Sequence, residues 1–278
     1  MASDSDDLNL ALFCDFENVA LGVRDAKLAK FDIQMVLARL LLKGSIVVKK
    51  AYCDWDRYKE FKSVMHDASF ELIEIPHTRQ SGKNSADIRM VVDALDLCYT
   101  KEHIDTFVII SGDSDFSPLV SKLRENAKLV IGIGVKNSTS DLLMNNCDEF
   151  IFYDDLVRDE QRHLKRSKKK VQLKTPARDG ASKKAEPSKP EDDTIDEALS
   201  LLLETAEALY ADHGDSKKIW GSMVKQTLKR RHPGFNERVY GVRSFSDLLE
   251  EAENRGLLTL ELDERSGGYV IKALTHES

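Results

Sequence analysis

The segment Ser111-Gly112-Asp113-Ser114-Asp115-Phe116 sets two carboxylates two residues apart, directly after the apolar run Phe107-Val108-Ile109-Ile110. A second apolar run, Leu10–Cys14, ends the same way, in Asp15-Phe16-Glu17-Asn18. A third acid, Asp87, opens the amphipathic stretch Ala86–Tyr99, after a polar loop, Arg79–Asn84, that carries Gly82 and Lys83. Carboxylates brought together repel one another and resist ionisation unless a cation sits among them. Oxygen ligands of this hardness suit Mg2+ or Mn2+. Such an ion neutralises charge on a phosphate ester and acidifies water. The pattern predicts a divalent-metal site built from Asp15, Asp87 and Asp113, with Asn18 and Asp115 in support. An aspartate after a strand also serves as a helix cap. Asp115, immediately before a helix, is the one most open to that reading, and Asp113, beside Gly112, is the least. Asp93, six residues on from Asp87, faces about 120° away on an ideal helix and reads as structural or supporting.

These acids meet only if the elements that carry them share one sheet edge. From Leu8 to about Leu156, apolar runs alternate with amphipathic stretches. Strands are expected at Leu10–Cys14, Ser45–Cys53, Phe70–Pro76, Thr106–Ser111, Leu129–Val135 and Phe150–Tyr153. Helices are expected at Asp32–Leu42, Asp56–Asp67, Ala86–Tyr99, Ser117–Asn126 and Asp141–Asn146. Strands rich in Val, Ile and Leu without strict alternation suit a sheet covered on both faces. Alternating strands and helices make that sheet parallel. The fold class is therefore α/β, with helices on both sides of a mainly parallel sheet, and open sheets of this type bind ligands at the carboxyl ends of their strands.

Composition narrows the classes further. The formal net charge is −7 with 32% charged residues, so no global field commits the chain to one kind of partner. The four cysteines form no C-x-x-C pair and are expected reduced, as in the cytoplasm. The acidic start, Met1 to Asp7, does not read as a secretory signal. No apolar run reaches the roughly 20 residues of a membrane span. Gly132-x-Gly134 lacks the third glycine of a dinucleotide fingerprint.

Residues 159–192 change character. Arg162, Lys165, Arg166, Lys168, Lys169, Lys170 and Lys174 follow one another without an acid, and prolines come next. This reads as a flexible basic linker. A second module is expected at 193–278. Thr194 and Glu197 have capping-box spacing, further helices are expected at Lys217–Arg231 and Ser246–Asn254, and Leu257–Leu262 pairs with Tyr269–Ala273 as a hairpin. Three helices and a terminal hairpin suggest a winged helix-turn-helix. Lys217, Lys218, Lys225, Lys229, Arg230, Arg231, Arg238 and Arg243 make the module locally basic, as phosphate contacts require; ordinary lysines on a solvated face are the competing reading.

The acidic blocks, with Lys83 through Asp87, Gly132-Ile133-Gly134, Ser140 and Cys147-Asp148-Glu149-Phe150, resemble the NYN domains, the PIN-like nuclease branch that includes the LabA/DUF88 group. The resemblance covers roughly residues 8–157. It implies a PIN-like three-layer fold over residues 1–158 and a metal-dependent nuclease, most often acting on RNA. It also implies that Asp15, Asp87 and Asp113 are metal ligands and that Asn18 and Asp115 support them. The second module resembles the OST-HTH or LOTUS domain through His232-Pro233-Gly234-Phe235, Tyr240-Gly241, Phe245-Ser246-Asp247-Leu248-Leu249 and Gly267-Gly268-Tyr269-Val270. That resemblance implies binding of RNA or of a protein partner. The expectation is a ribonuclease leaving 5′-phosphate and 3′-hydroxyl ends. The alternative is a non-catalytic adaptor that uses the same fold as a scaffold.

Overall fold

The computed structural model describes residues 8–75, 85–162, 190–213, 218–263 and 266–274. The chain divides into two compact units, one within residues 7–176 and one within 177–278.

The first unit is a six-stranded sheet, every pairing of which is parallel. Its strands are β1 (Leu8–Asp15), β2 (Gly44–Cys53), β3 (Glu71–Glu74), β4 (Thr106–Ile110), β5 (Leu129–Gly134) and β6 (Glu149–Phe152), in spatial order 3-2-1-4-5-6. The helices are α1 (Phe16–Asp25), α2 (Ile33–Leu40), α3 (Lys59–Asp67), α4 (Ser85–Thr100), α5 (Ser117–Glu125), α6 (Asp141–Asn146) and α7 (residues 153–162).

Side-chain alternation along β1 shows why the sheet is covered on both faces. Leu10, Leu12 and Cys14 join one buried cluster with residues of α1, α2 and α3, among them Val19, Val36 and Met65. Ala11 and Phe13 join a second cluster with Met90 and Ala94 of α4, Leu119 and Leu123 of α5 and Leu143 of α6. Helices α1 to α3 therefore lie on one face and α4 to α6 on the other. The chain winds outward from β1 through β2 to β3, then returns through α4 to β4 on the far side of β1. The crevice between β1 and β4 is the switch point of the sheet, the place where open α/β folds bind ligands.

One expectation is corrected here. No helix was expected directly after the first strand, yet α1 begins at Phe16, because Asp15 caps it and Phe16, Val19, Gly22 and Val23 supply its buried face. The acids Asp154 and Asp155 after β6 open α7: Asp154 accepts from the Lys136 backbone N–H at 2.9 Å, and Asp155 pairs with Lys136 and Arg158 at 2.7 Å each. The four cysteines are free, with Cys14, Cys53 and Cys98 buried.

The second unit holds α8 (Pro190–His213), β7 (Ile219–Trp220), α9 (Gly221–Arg231), α10 (Phe245–Asn254), β8 (Leu258–Leu262) and β9 (Tyr269–Leu274). Its strands form an antiparallel sheet in the order β7-β9-β8. The third helix and the hairpin fall where expected. Gly256, at φ +69, ends α10 with the Leu257 backbone N–H bonded to the Ala252 carbonyl at 2.9 Å. The capping box does not hold, because α8 starts at Pro190 and Thr194 lies inside it. The helix expected from Lys217 begins only at Gly221, since Ile219 and Trp220 are drawn out to pair with Ile271 and Val270.

Candidate functional site

The site is assembled at the carboxyl ends of β1 and β4, which pair in register up to Cys14 and Ile110. Asp15 is the last residue of β1 and is buried. Its carboxylate accepts from the Ser111 hydroxyl at 3.0 Å and from the Asn18 backbone N–H at 3.4 Å. Ser111, fully buried just past β4, also accepts from the Asp113 backbone N–H at 3.2 Å. One hydroxyl thus joins the two acidic arms. The Asn18 side-chain carbonyl accepts from the Gly112 backbone N–H at 2.9 Å, tying α1 to the turn after β4. Asn18, expected in a supporting part, uses its side-chain oxygen to hold the two segments together. Gly112 is needed for that closure: a Cβ there would lie 2.3 Å from the Ser138 carbonyl oxygen.

The capping part, expected of Asp115, falls to Asp113. Asp113 is the cap, its carboxylate accepting from the Asp115 backbone N–H at 3.0 Å across the 3-10 turn Ser114–Phe116. Asp115 is exposed at the mouth. The signal was the spacing: in Asp113-Ser114-Asp115 the first acid sits where a cap meets a turn two residues on. Asp87 lies in the first turn of α4, half-buried.

Electrostatics shows that these residues share a field. Burial pushes the Asp15 carboxyl up from 3.8 to about 7, and the negative charges of Asp87 and Asp113 push the same way against the hydrogen bonds from Ser111 and Asn18. Burial likewise raises Asp87 to about 6, helped by Asp113, Asp115 and Glu17. Glu17, which was not among the residues expected at the site, therefore shares its field. It lies in the first turn of α1, two residues after Asp15, and pairs with Arg57 at 3.1 Å. Asp93 belongs elsewhere: Tyr52 donates to it at 2.9 Å, and Lys50 and Arg89 pair with it at 3.3 and 3.0 Å.

This donor set fits a divalent cation. Every side chain in it is a hard carboxylate, and the acids raise one another's affinity for protons, a cost that a cation reverses. The fit is in charge and donor type. Among the described residues no three His, Cys, Asp or Glu side chains are gathered as a finished metal cage.

Lys83 and Lys217 lie outside the described residues. In the second unit Lys218, Lys229, Arg238 and Arg243 are exposed. Lys225 instead pairs with Glu237 at 3.3 Å, Arg231 with Glu204 at 2.7 Å, and Arg230 donates to the Thr227 hydroxyl at 3.0 Å. Part of the basic set is thus engaged within the unit.

A parallel α/β sheet with an acidic crevice at its switch point is the frame of a PIN-like domain. Residues 9–154, just over half of the chain, match the model of the NYN domain family, and the chain belongs to that family. NYN domains form part of the PIN-like nuclease superfamily. The uncharacterized protein MJ0482 of Methanocaldococcus jannaschii is 29% identical over 151 residues, which cover 49% of this chain and 62% of that protein. The chain thus spans somewhat under two thirds of the length of this curated relative. A crystal structure of a protein of unknown function, VPA0982 from Vibrio parahaemolyticus, is 27% identical with a TM-score of 0.49, covering 56% of this chain and 98% of that one. No described helix is long and apolar enough to cross a membrane.

Proposed function

We propose that the protein is a metal-dependent ribonuclease that hydrolyses phosphodiester bonds, with the second unit binding RNA. The observation that carries this reading is the pair Asp15 and Asp87, raised to about 7 and about 6 by burial and by neighbouring carboxylates (Asp87 and Asp113 acting on Asp15; Asp113, Asp115 and Glu17 acting on Asp87) at the switch point of an NYN fold.

Asp15, Asp87 and Asp113 would hold Mg2+ or Mn2+. When bound, such an ion offsets charge on the phosphate and makes water a better nucleophile. The chain's own residues divide the remaining work. Ser111 and Asn18 fix the distance between the β1 and β4 arms, so the carboxylates need no rearrangement to act. Asp115, exposed beside them, orients the attacking water and takes up its proton. In-line attack at phosphorus then breaks the bond to the 3′ oxygen, leaving a 5′-phosphate and a 3′-hydroxyl. The exposed Lys218, Lys229, Arg238 and Arg243 support polyanion binding by the second unit, which we read as an OST-HTH or LOTUS module.

The test uses labelled single-stranded RNA, structured RNA and DNA with Mg2+, Mn2+ or chelator. Wild type is expected to cleave RNA with either metal and to stop in chelator. Asp15→Asn and Asp113→Asn are expected to be at least a hundredfold slower. Equal cleavage by wild type and both variants would sink the assigned site. RNA binding without cleavage under any metal would favour a non-catalytic adaptor.

A further inference from the structure

The geometry points to Arg57 as a phosphate-binding residue that positions a polynucleotide across the acidic crevice; this rests on the nuclease reading above. We propose that its guanidinium takes the backbone phosphate next to the scissile one.

The crevice presents five carboxylates, Asp15, Glu17, Asp87, Asp113 and Asp115. A polyanion approaching them is repelled unless cations are also on the rim. Among the described residues, Arg57 is the cation that ion-pairs with this group, through Nη1 to Glu17 Oε1 at 3.1 Å. Glu17 in turn acts electrostatically on Asp87. The guanidinium is therefore set one ion pair away from the centre, on the flank of β1 opposite Asp113. Strand β2 neighbours β1 on that side, with Tyr52 opposite Asp15, and Arg57 follows in the turn just past β2.

The turn that carries Arg57 is held rigidly. Trp55 is 1% exposed and packs on Phe16 at 5.1 Å between ring centroids. The Trp55 backbone N–H bonds to Glu74 at 2.9 Å, and the Asp56 and Arg57 backbone N–H groups bond to Asp54 at 3.2 and 3.4 Å. The Arg57 side chain nevertheless remains 55% exposed. Glu17 engages one nitrogen of a planar fork that offers five N–H donors. An ordinary surface ion pair contributes little and has no need of an anchored backbone. A guanidinium fixed at its base and open at its tip is prepared for bidentate contact with phosphate oxygens. Such a contact reads the backbone that RNA and DNA share, not the sugar or the base.

The experiment measures binding of fluorescent single-stranded RNA and DNA of equal length to the full chain. An Asp113→Asn background prevents cleavage, and affinity is followed across salt concentrations. Arg57→Ala is compared with Lys122→Ala, which removes an equal charge from the last turn of α5, at the other end of the sheet. Mn2+ affinity, measured directly, reports on the acidic centre in each variant. Arg57→Ala is expected to weaken binding of both oligonucleotides about tenfold, the scale of one charge-assisted contact. It should also reduce the slope of log affinity against log salt by about 0.7, with Mn2+ affinity unchanged and Lys122→Ala like the parent. Arg57→Lys should restore the slope while recovering only part of the affinity. Unchanged affinity and slope in Arg57→Ala, equal losses in Lys122→Ala, or a loss confined to one of the two nucleic acids would each overturn the assignment. If the parent binds neither oligonucleotide, the nuclease reading itself fails, and this assignment with it.

Discussion

Among the carboxyl groups of the described residues, Asp15 is the one pushed furthest above its ordinary value. Its carboxyl sits at about 7 where the unfolded chain has 3.8, and Asp87 sits at about 6. Below pH 4 both groups are protonated in the folded and unfolded states alike, so neither affects stability. As pH rises, the unfolded chain ionises first while the native chain still retains its protons. The metal-free protein should therefore lose stability from about pH 4 to pH 7, by at most about 1.4 kcal/mol per pH unit for each group, and change little beyond. Mn2+ should raise the melting temperature more at pH 8 than at pH 5, because it binds the ionised form. Asp15→Asn removes the titrating group. Its metal-free form should melt above wild type at pH 8, and Mn2+ should no longer raise it. A thermal melt series over pH, with and without Mn2+, checks all three expectations; a metal response in Asp15→Asn equal to wild type would remove Asp15 from the ligand set.

At the scale of elements, the turn after β4 is held closed from two sides. The Gly112 backbone N–H reaches Asn18, its carbonyl receives the Ser140 backbone N–H at 2.9 Å, and its missing side chain leaves room for Ser138. Gly112→Ala pushes a methyl group into backbone that has no free rotor to yield. It should cost about 1–3 kcal/mol in urea unfolding and weaken Mn2+ binding by displacing Asp113. A variant with wild-type stability would show that the loop at Ser138 moves freely. Much of this architecture was legible in the sequence, because the six apolar runs are short and bounded. The parts that were missed have local causes. Helix α1 was missed because Asp15 to Asn18 were read only as site residues following the strand Leu10–Cys14. The clue was the three-residue step from Asp15 to Asn18, which lets the acid cap a helix whose apolar positions Phe16, Val19 and Val23 follow at helical spacing. Thr194 and Glu197 misled because a capping box within a longer helix has the same spacing as one at its start. Strand β7 was invisible because its two residues are extended only by pairing with β9. That these acids follow the ends of strands was readable from residue type and placement, whereas the cap at Asp113 in place of Asp115 depends on a turn of three residues.

On the scale of the whole molecule, carboxylates converge in the first unit, and the exposed basic side chains Lys218, Lys229, Arg238 and Arg243 all fall within one stretch of the second. If the second unit binds RNA, a chain ending at Asp192 should bind RNA more weakly and depend less on salt, while its Mn2+ affinity stays as in the full chain. Direct metal titration beside RNA anisotropy checks this, and a shortened chain that binds RNA as tightly as the full one would place recognition in the first unit alone.

Phe16, between the acids Asp15 and Glu17, packs its ring against Phe31, Trp55, Tyr58 and Phe61. The chain has two tryptophans, and the other, Trp220, belongs to the second unit. Each unit thus contains its own indole, one sealed beneath the acidic crevice and one half-buried beside β9. Trp220→Phe leaves a protein whose ultraviolet emission reports on the floor of the crevice, and Trp55→Phe leaves one that reports on the second unit. If the first unit binds a cation and the second an oligonucleotide, as proposed above, the two events become separable optical signals, without any dye attached.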